Sequence, residues 1–167
     1  MADFYHTIAN VTNGDYRERG SKFLATAIPC SSEEELKSFI QELKKDHPSA
    51  RHFCYGSVFG KEASEQRAND DGEPSGTAGL PIMNQILSSE LTNTAVVIVR
   101  YFDGTKLGKP GLIHAYKEAT KLALDDVKKK KIWIVEKVSI RFDYDDTGNI
   151  MRAIEPVSYT HLRAHET

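Results

Sequence analysis

Apolar residues recur at three- and four-residue spacings through "SSEEELKSFIQELKKDHP", where Leu36, Phe39, Ile40 and Leu43 fall on one helical stripe. Ser31 or Ser32 can cap this helix, glutamates fill its first turn, and Pro48 lies just past its end. Before it, "FYHTIAN" and "SKFLATAIP" are short runs of aromatic, β-branched and small residues, expected as neighbouring strands or a hairpin. The polar "TNGDYRERG" separates them, with Asn13-Gly14 as a turn signal. "RHFCYGSVFG" alternates as a strand, with His52, Cys54 and Gly56 on one face and Phe53, Tyr55 and Ser57 on the other. "KEASEQRAN" is polar and reads as a connection. "PIMNQILSSEL" reads as a helix with Pro81 near its first position. "NTAVVIVRYF" is continuously apolar, the pattern of a strand buried on both faces. A long helix follows in "LIHAYKEATKLALDDVKKKK", with an apolar face through Leu112, Ala115, Tyr116, Ala119, Leu122 and Ala123. "IWIVEKVSIRFDY" then reads as a strand and "DDTGN" as a turn into another helix.

Strands outnumber what a repeated strand–helix–strand unit requires, so the expected class is α+β, or mixed α/β. Residues 1–136 are expected to form one domain and residues 137–156 the beginning of a second. The tail "PVSYTHLRAHET" has no period of its own and is similar to the translation of a sequencing adapter. Residues 157–167 are therefore expected to be non-native, and the His161–His165 spacing is set aside with them.

Composition narrows the class further. Of 167 residues, 40% are hydrophobic and 28% charged, as in a soluble globular protein. No apolar run reaches the roughly 20 residues that span a bilayer, and no membrane partner is expected. No secretory signal is visible at the N-terminus, and two cysteines are too few for a disulfide framework. A cytoplasmic location is the expectation. The net charge of −2 gives no global nucleic-acid signature. The lysines at 128–131 are expected to end the long helix, where cations complement its dipole.

The candidate chemistry lies in two glycine-rich loops. "DDGEPSGTAGLPI", residues 70–82, sets Asp70, Asp71 and Glu73 beside three glycines, two prolines, Ser75 and Thr77, immediately before a helix. Backbone N–H groups at such a helix start form a ready anion site, and the two hydroxyls could donate to a phosphate. The acids would repel that anion unless a cation neutralised them. Magnesium held by Asp71 and Glu73 is one candidate, and a basic side chain of the protein is another. The second loop, "RYFDGTKLGKPG", offers Arg100, Lys106 and Lys109. If the two strand–loop–helix units lie side by side, acidic and basic loops meet at one end of the sheet. Mutual neutralisation is the favoured reading, ahead of ligand binding and of catalysis. Gly104 to Lys109 is one residue too short for a phosphate-binding P-loop, and Pro110 stands where that motif needs Ser or Thr. His52 and Cys54 share a strand face, but no orienting acid or oxyanion site is specified beside them.

Together these two loops, with "YRERGSKFLATAIP" and "ARHFCYG" upstream, closely resemble the YigZ/IMPACT family. The resemblance implies an N-terminal domain similar to the second domain of ribosomal protein S5, and a smaller ferredoxin-like domain truncated here. It also implies a non-enzymatic regulator of translation whose partner is RNA, the ribosome or a translation factor. A small-molecule or phosphate-binding protein, or a magnesium-dependent enzyme using the two loops, is the alternative. The candidate binding residues are His52, Cys54, Arg67, Asp70, Asp71, Glu73, Ser75, Thr77, Arg100, Lys106 and Lys109, with no cofactor expected. The chain departs from the family pattern at Asp103, Pro110 and His114, which lowers the positive charge of the second loop.

Overall fold

In the computed structural model the described residues, 3–155, form β1 Phe4–Ile8, β2 Thr12–Glu18, β3 Ser21–Pro29, α1 Glu33–Asp46, β4 His52–Phe59, β5 Glu65–Asn69, α2 Gly79–Ser88, β6 Thr94–Tyr101, α3 Gly108–Asp125, β7 Lys129–Trp133 and α4 Thr147–Ile154. The chain divides into two compact units, Met1–Ile134 and Val135–Thr167. The expected mixed α/β class is what is found.

The first unit is built on a five-stranded sheet of order β2-β3-β6-β4-β5, every neighbouring pair antiparallel. The continuous apolar run is the central strand β6, with residues 94–100 all buried. Because side chains alternate across a strand, β6 feeds two cores. Val96 and Ile98 join Cys54, Val58, Ile82, Ile86, Ala115, Tyr116 and Ala119 beneath α2 and α3. Ala95, Val97 and Val99 join Phe53, Phe59, Leu36 and Ile40 beneath α1. Ser32 caps α1, its Oγ accepting from Glu35 N at 3.3 Å. Helix α2 lies so close to the sheet that a Cβ on Gly56 would collide with the backbone of Met83, and one on Gly79 with that of Asn69.

Several elements differ from the sequence expectation. Residues 12–18 are not a connection but the edge strand β2, which pairs with β3 from Thr12↔Ala27 to Glu18↔Ser21. Their alternation was masked by an outward face of charged residues. The first run, β1, pairs instead with β7, from Phe4↔Trp133 to Ile8↔Lys129. Residues 65–69, read as a connection, form the exposed edge strand β5. The lysine run does not end a helix: α3 stops at Asp125, and residues 129–131 lie in β7. Leu122, placed on the apolar face, is 40% exposed, because that face is carried by Ala119, Thr120 and Ala123 against the sheet.

The second unit, among the described residues, holds a 3-10 turn at Tyr144–Asp146 and helix α4. The strand expected over residues 132–144 ends at Trp133, because β1 offers pairing partners only that far and residues 135–143 have none. Residues 157–167, including His161 and His165, lie outside the described residues.

Candidate functional site: a charge clamp and an adjoining cleft

β4 and β6 are direct neighbours, so the loop after β5 and the end of β6 meet at one end of the sheet. Register places His52 opposite Arg100. There Arg100 Nη1 donates to Glu73 Oε1 at 2.5 Å, with the two side chains only 5% and 4% exposed. The Tyr116 hydroxyl donates to the same oxygen at 2.7 Å. Arg100 Nη2 reaches Ser21 Oγ at 3.3 Å, and its guanidinium lies over the Phe23 and Phe102 rings at 5.4 and 5.1 Å. Arg100 Nε has no partner among the described residues. Glu73 is thus the anion bound to the buried Arg100, and removing either partner alone would leave an uncompensated charge in the core.

Asp70 is spent differently. Its Oδ1 accepts from Ala78 N and Gly79 N at 3.0 and 2.9 Å, and its Oδ2 accepts from Gly76 N at 2.9 Å. Helix α2 has no cap from its own N-cap residue, Ala78. The carboxylate from eight residues upstream supplies one, at the positive end of the helix dipole. Burial alone would raise the Asp70 pKa, but the N–H groups of Gly76, Gly79 and Ala78 outweigh it and hold the carboxyl below its ordinary value. The anion that the sequence places at this helix start is therefore a side chain of the protein.

Asp71, at φ +39°, turns its Oδ2 to accept from Phe53 N at 2.8 Å, extending the edge of β4 beyond its last pairing with β5. Its carbonyl accepts from His52 Nδ1 at 2.8 Å, which makes Nδ1 the protonated nitrogen of that ring. Cys54 Sγ lies 3.0 Å from the Asp70 carbonyl and 3.3 Å from the Tyr116 hydroxyl, wholly buried. Burial pushes its thiol pKa well up, and does the same to the Tyr116 phenol. A thiol held protonated is a poor nucleophile.

The remaining candidates lie apart from this network. Thr77 is buried and donates to the Pro74 carbonyl at 2.5 Å, so its hydroxyl is committed to the loop, whereas Ser75 is exposed. Arg67 is on β5, with Nε 2.9 Å from Glu33 Oε1 of α1, an exposed pair away from the loop. Lys106 and Lys109 are exposed, and neither is within ion-pair distance of a carboxylate of the first unit. The acidic loop therefore engages the basic loop through Arg100 rather than through either lysine. Among the described residues no group of three His, Cys, Asp or Glu side chains is arranged to hold a metal. One oxygen of Asp71 holds Phe53 N, and one oxygen of Glu73 holds both Arg100 and Tyr116.

Beside the clamp, an open cleft of about 510 Å³ lies between the β2–β3 turn and the end of β6. Arg17, Arg19, Lys22, Tyr101, Phe102 and Asp103 are among the residues that line it. No local pattern announces this cleft, because Arg17 and Lys22 come together only through the β2–β3 register. The one available signal was the run of basic residues in "YRERGSK".

Comparison with known proteins places this arrangement. The IMPACT family member YvyE of Bacillus subtilis is 35% identical over 165 residues, which are 99% of this chain and 76% of YvyE. The family member YigZ of Escherichia coli is 32% identical over 132 residues, 78% of this chain and 65% of YigZ. A crystal structure of a hypothetical protein superimposes with a TM-score of 0.76 at 29% identity, covering 80% of this chain and 66% of that one. The chain thus spans about two thirds to three quarters of these relatives. Residues 19–124, which include the acidic loop, Arg100 and Tyr116, match the Impact N-terminal domain, and the chain belongs to the IMPACT family.

Proposed function

We propose that this chain is a non-enzymatic regulator of translation, which acts by binding an anionic surface of the ribosome, of RNA or of a translation factor. The observation that carries this reading is the commitment of all three carboxylates of the acidic loop. Asp70 caps α2, Asp71 holds β4, and Glu73 neutralises Arg100. A general acid–base pair needs a carboxylate within reach of substrate, and a thiol nucleophile needs an accessible thiolate. Neither fits groups committed in this way. The cation that the loop requires is Arg100, which supports reading the loop without magnesium. What the clamp fixes in place is the adjoining cleft, where Arg17, Arg19 and Lys22 outnumber Glu18 and Asp103 beside Tyr101 and Phe102, Arg17 being paired with Asp15.

Ribosome co-sedimentation of the whole chain at low and high salt tests this. The expected result is pelleting at low salt that is lost at high salt, as for phosphate contacts, and weakened by Arg19→Glu with Lys22→Glu. Failure to pellet at either salt overturns ribosome binding. Pelleting untouched by the charge reversal removes the cleft as its contact.

A further inference from the structure

The ribbon of β1 and β7 stands outside the main sheet and outside the site above. Its register sets Phe4 opposite Trp133, His6 opposite Lys131 and Ile8 opposite Lys129, so these six residues share one face. Ile8 turns into the core, which anchors one end of the ribbon. At the other end Phe4 and Trp133 meet edge to face, with centroids 5.6 Å apart. His6 packs on Phe4 in the same manner at 5.4 Å. Lys131 Nζ sits 3.8 Å from the Phe4 centroid and 4.2 Å from that of Trp133. Trp133 is nonetheless 60% exposed. A large aromatic ring is seldom left so open unless something covers it.

The charge along β7 is basic, although Asp3 lies at the ribbon's end beside Phe4. Residues 128–131 are four consecutive lysines, all exposed. None of them is within ion-pair distance of a carboxylate of the first unit, and Lys129 Nζ instead donates to the Ser89 carbonyl at 2.8 Å. Like charges side by side repel one another, so an unpaired block of this kind is relieved by an anionic partner. An acidic protein would meet the lysines but would give the exposed indole nothing specific. A membrane surface would need a wider apolar face than this one offers, since Phe4 alone accompanies Trp133 and Ile8 points inward. Single-stranded nucleic acid satisfies both features at once, because its phosphates pair with lysines while its unpaired bases stack on aromatic faces.

We infer that the β1–β7 ribbon is a binding platform for single-stranded RNA, with an unpaired base stacked on Trp133 and the backbone phosphates drawn to Lys129 and Lys131, which share its face. This surface is separate from the cleft, so the inference does not depend on the function proposed for that cleft.

Trp133 is the single tryptophan of the chain, so its emission reports on the platform alone. The whole chain is titrated with a short single-stranded oligoadenylate, with a duplex of matched length, and with heparin. The expected result is saturable quenching by the single strand, weaker quenching by the duplex, and none by heparin. Neutralising two or three phosphates should lower the single-strand affinity roughly 7- to 20-fold between 50 and 200 mM salt. Measured by anisotropy of a labelled oligonucleotide, Trp133→Leu should weaken binding on the order of ten-fold. Lys129→Glu with Lys131→Glu, the two exposed lysines on the face of Trp133, should weaken it comparably while leaving the ribbon folded, which guards against a Trp133 variant that fails to pair. No quenching by the single strand at low salt overturns the inference. Equal responses to all three polyanions overturn stacking. Concentration-dependent quenching of the protein alone, with a doubled mass in sedimentation, would show that a second copy covers Trp133 and would also overturn it.

Discussion

The two glycine-rich loops are alike in sequence and opposite in physical use. Each follows a strand and leads into a helix, and each combines glycines with charged side chains. The acidic loop turns its charges inward: Glu73 is buried on Arg100, and Asp70 caps the helix that follows. The basic loop, past the buried Arg100 that opens it, turns its charges outward: Lys106 and Lys109 are exposed, and the start of α3 has neither a side-chain cap nor an acidic residue in its first turn. A charged loop is therefore not in itself a binding loop. What separates brace from display is whether burial forces each charge to find a partner within the fold.

The largest effect should come from separating the buried pair. Glu73→Ala leaves the Arg100 guanidinium buried beneath Phe102 without its anion, and breaking such a pair costs about 3–5 kcal/mol. That is a large fraction of an ordinary domain's stability. Replacing both partners, as Arg100→Met with Glu73→Leu, should recover much of the loss, since no charge then remains buried. Lys106→Glu should stay within about 0.5 kcal/mol of the parent. Urea unfolding of the four proteins checks all of this. A Glu73→Ala midpoint close to that of Lys106→Glu would erase the distinction between the loops.

Much of this was legible in the sequence for reasons that can be named. The central strand announced itself because burial on both faces demands an unbroken apolar run from residue 95 to 99. The acidic loop stood out because its residue types serve no purpose in an ordinary turn. Edge strands β2 and β5 were opaque, since one or both of their faces are polar and alternation fades into a charged segment. The lysine run misled because cations at a helix end and cations on an exposed strand have the same composition. The pairing of residue 4 with residue 133 spans nearly the whole first unit, and no local pattern encodes it. The role of Asp70 was hidden for a related reason. Capping residues are sought immediately before a helix, whereas this one acts from across a loop.

That capping role predicts a smaller, pH-dependent effect. The Asp70 carboxyl titrates below its ordinary value in the folded chain, so the folded state binds its proton more weakly than the unfolded state does. The stabilisation it gives is complete above the unfolded value of about 3.9 and is lost as pH falls through the lower folded value. Asp70→Asn keeps one acceptor oxygen but loses the charge and one backbone partner. It should cost about 1–2 kcal/mol near neutral pH. The gap between variant and parent should close in acid. A gap that stayed constant down to pH 2 would mean that Asp70 acts by shape and not by charge.

The smallest effect lies at the opposite end of the pH scale, and it bears on whether the acidic loop conceals a reactive thiol. Cys54 is wholly buried between the loop carbonyl and Tyr116, and burial raises its pKa above the ordinary thiol value. A thiol whose folded pKa is raised stabilises the fold fully below the unfolded value of about 8.5. That contribution declines as pH rises past it, because only the unfolded chain then ionises. At pH 9 the loss attributable to this one group is roughly 0.8 kcal/mol, and Cys54→Ala should flatten the alkaline limb of the stability curve by about that amount. In the same protein an aromatic disulfide reagent should modify Cys54 only as fast as the core opens. Rapid modification of the native chain at neutral pH would instead reveal an accessible thiolate behind the clamp, and the acidic loop would have to be reconsidered as part of a catalytic site.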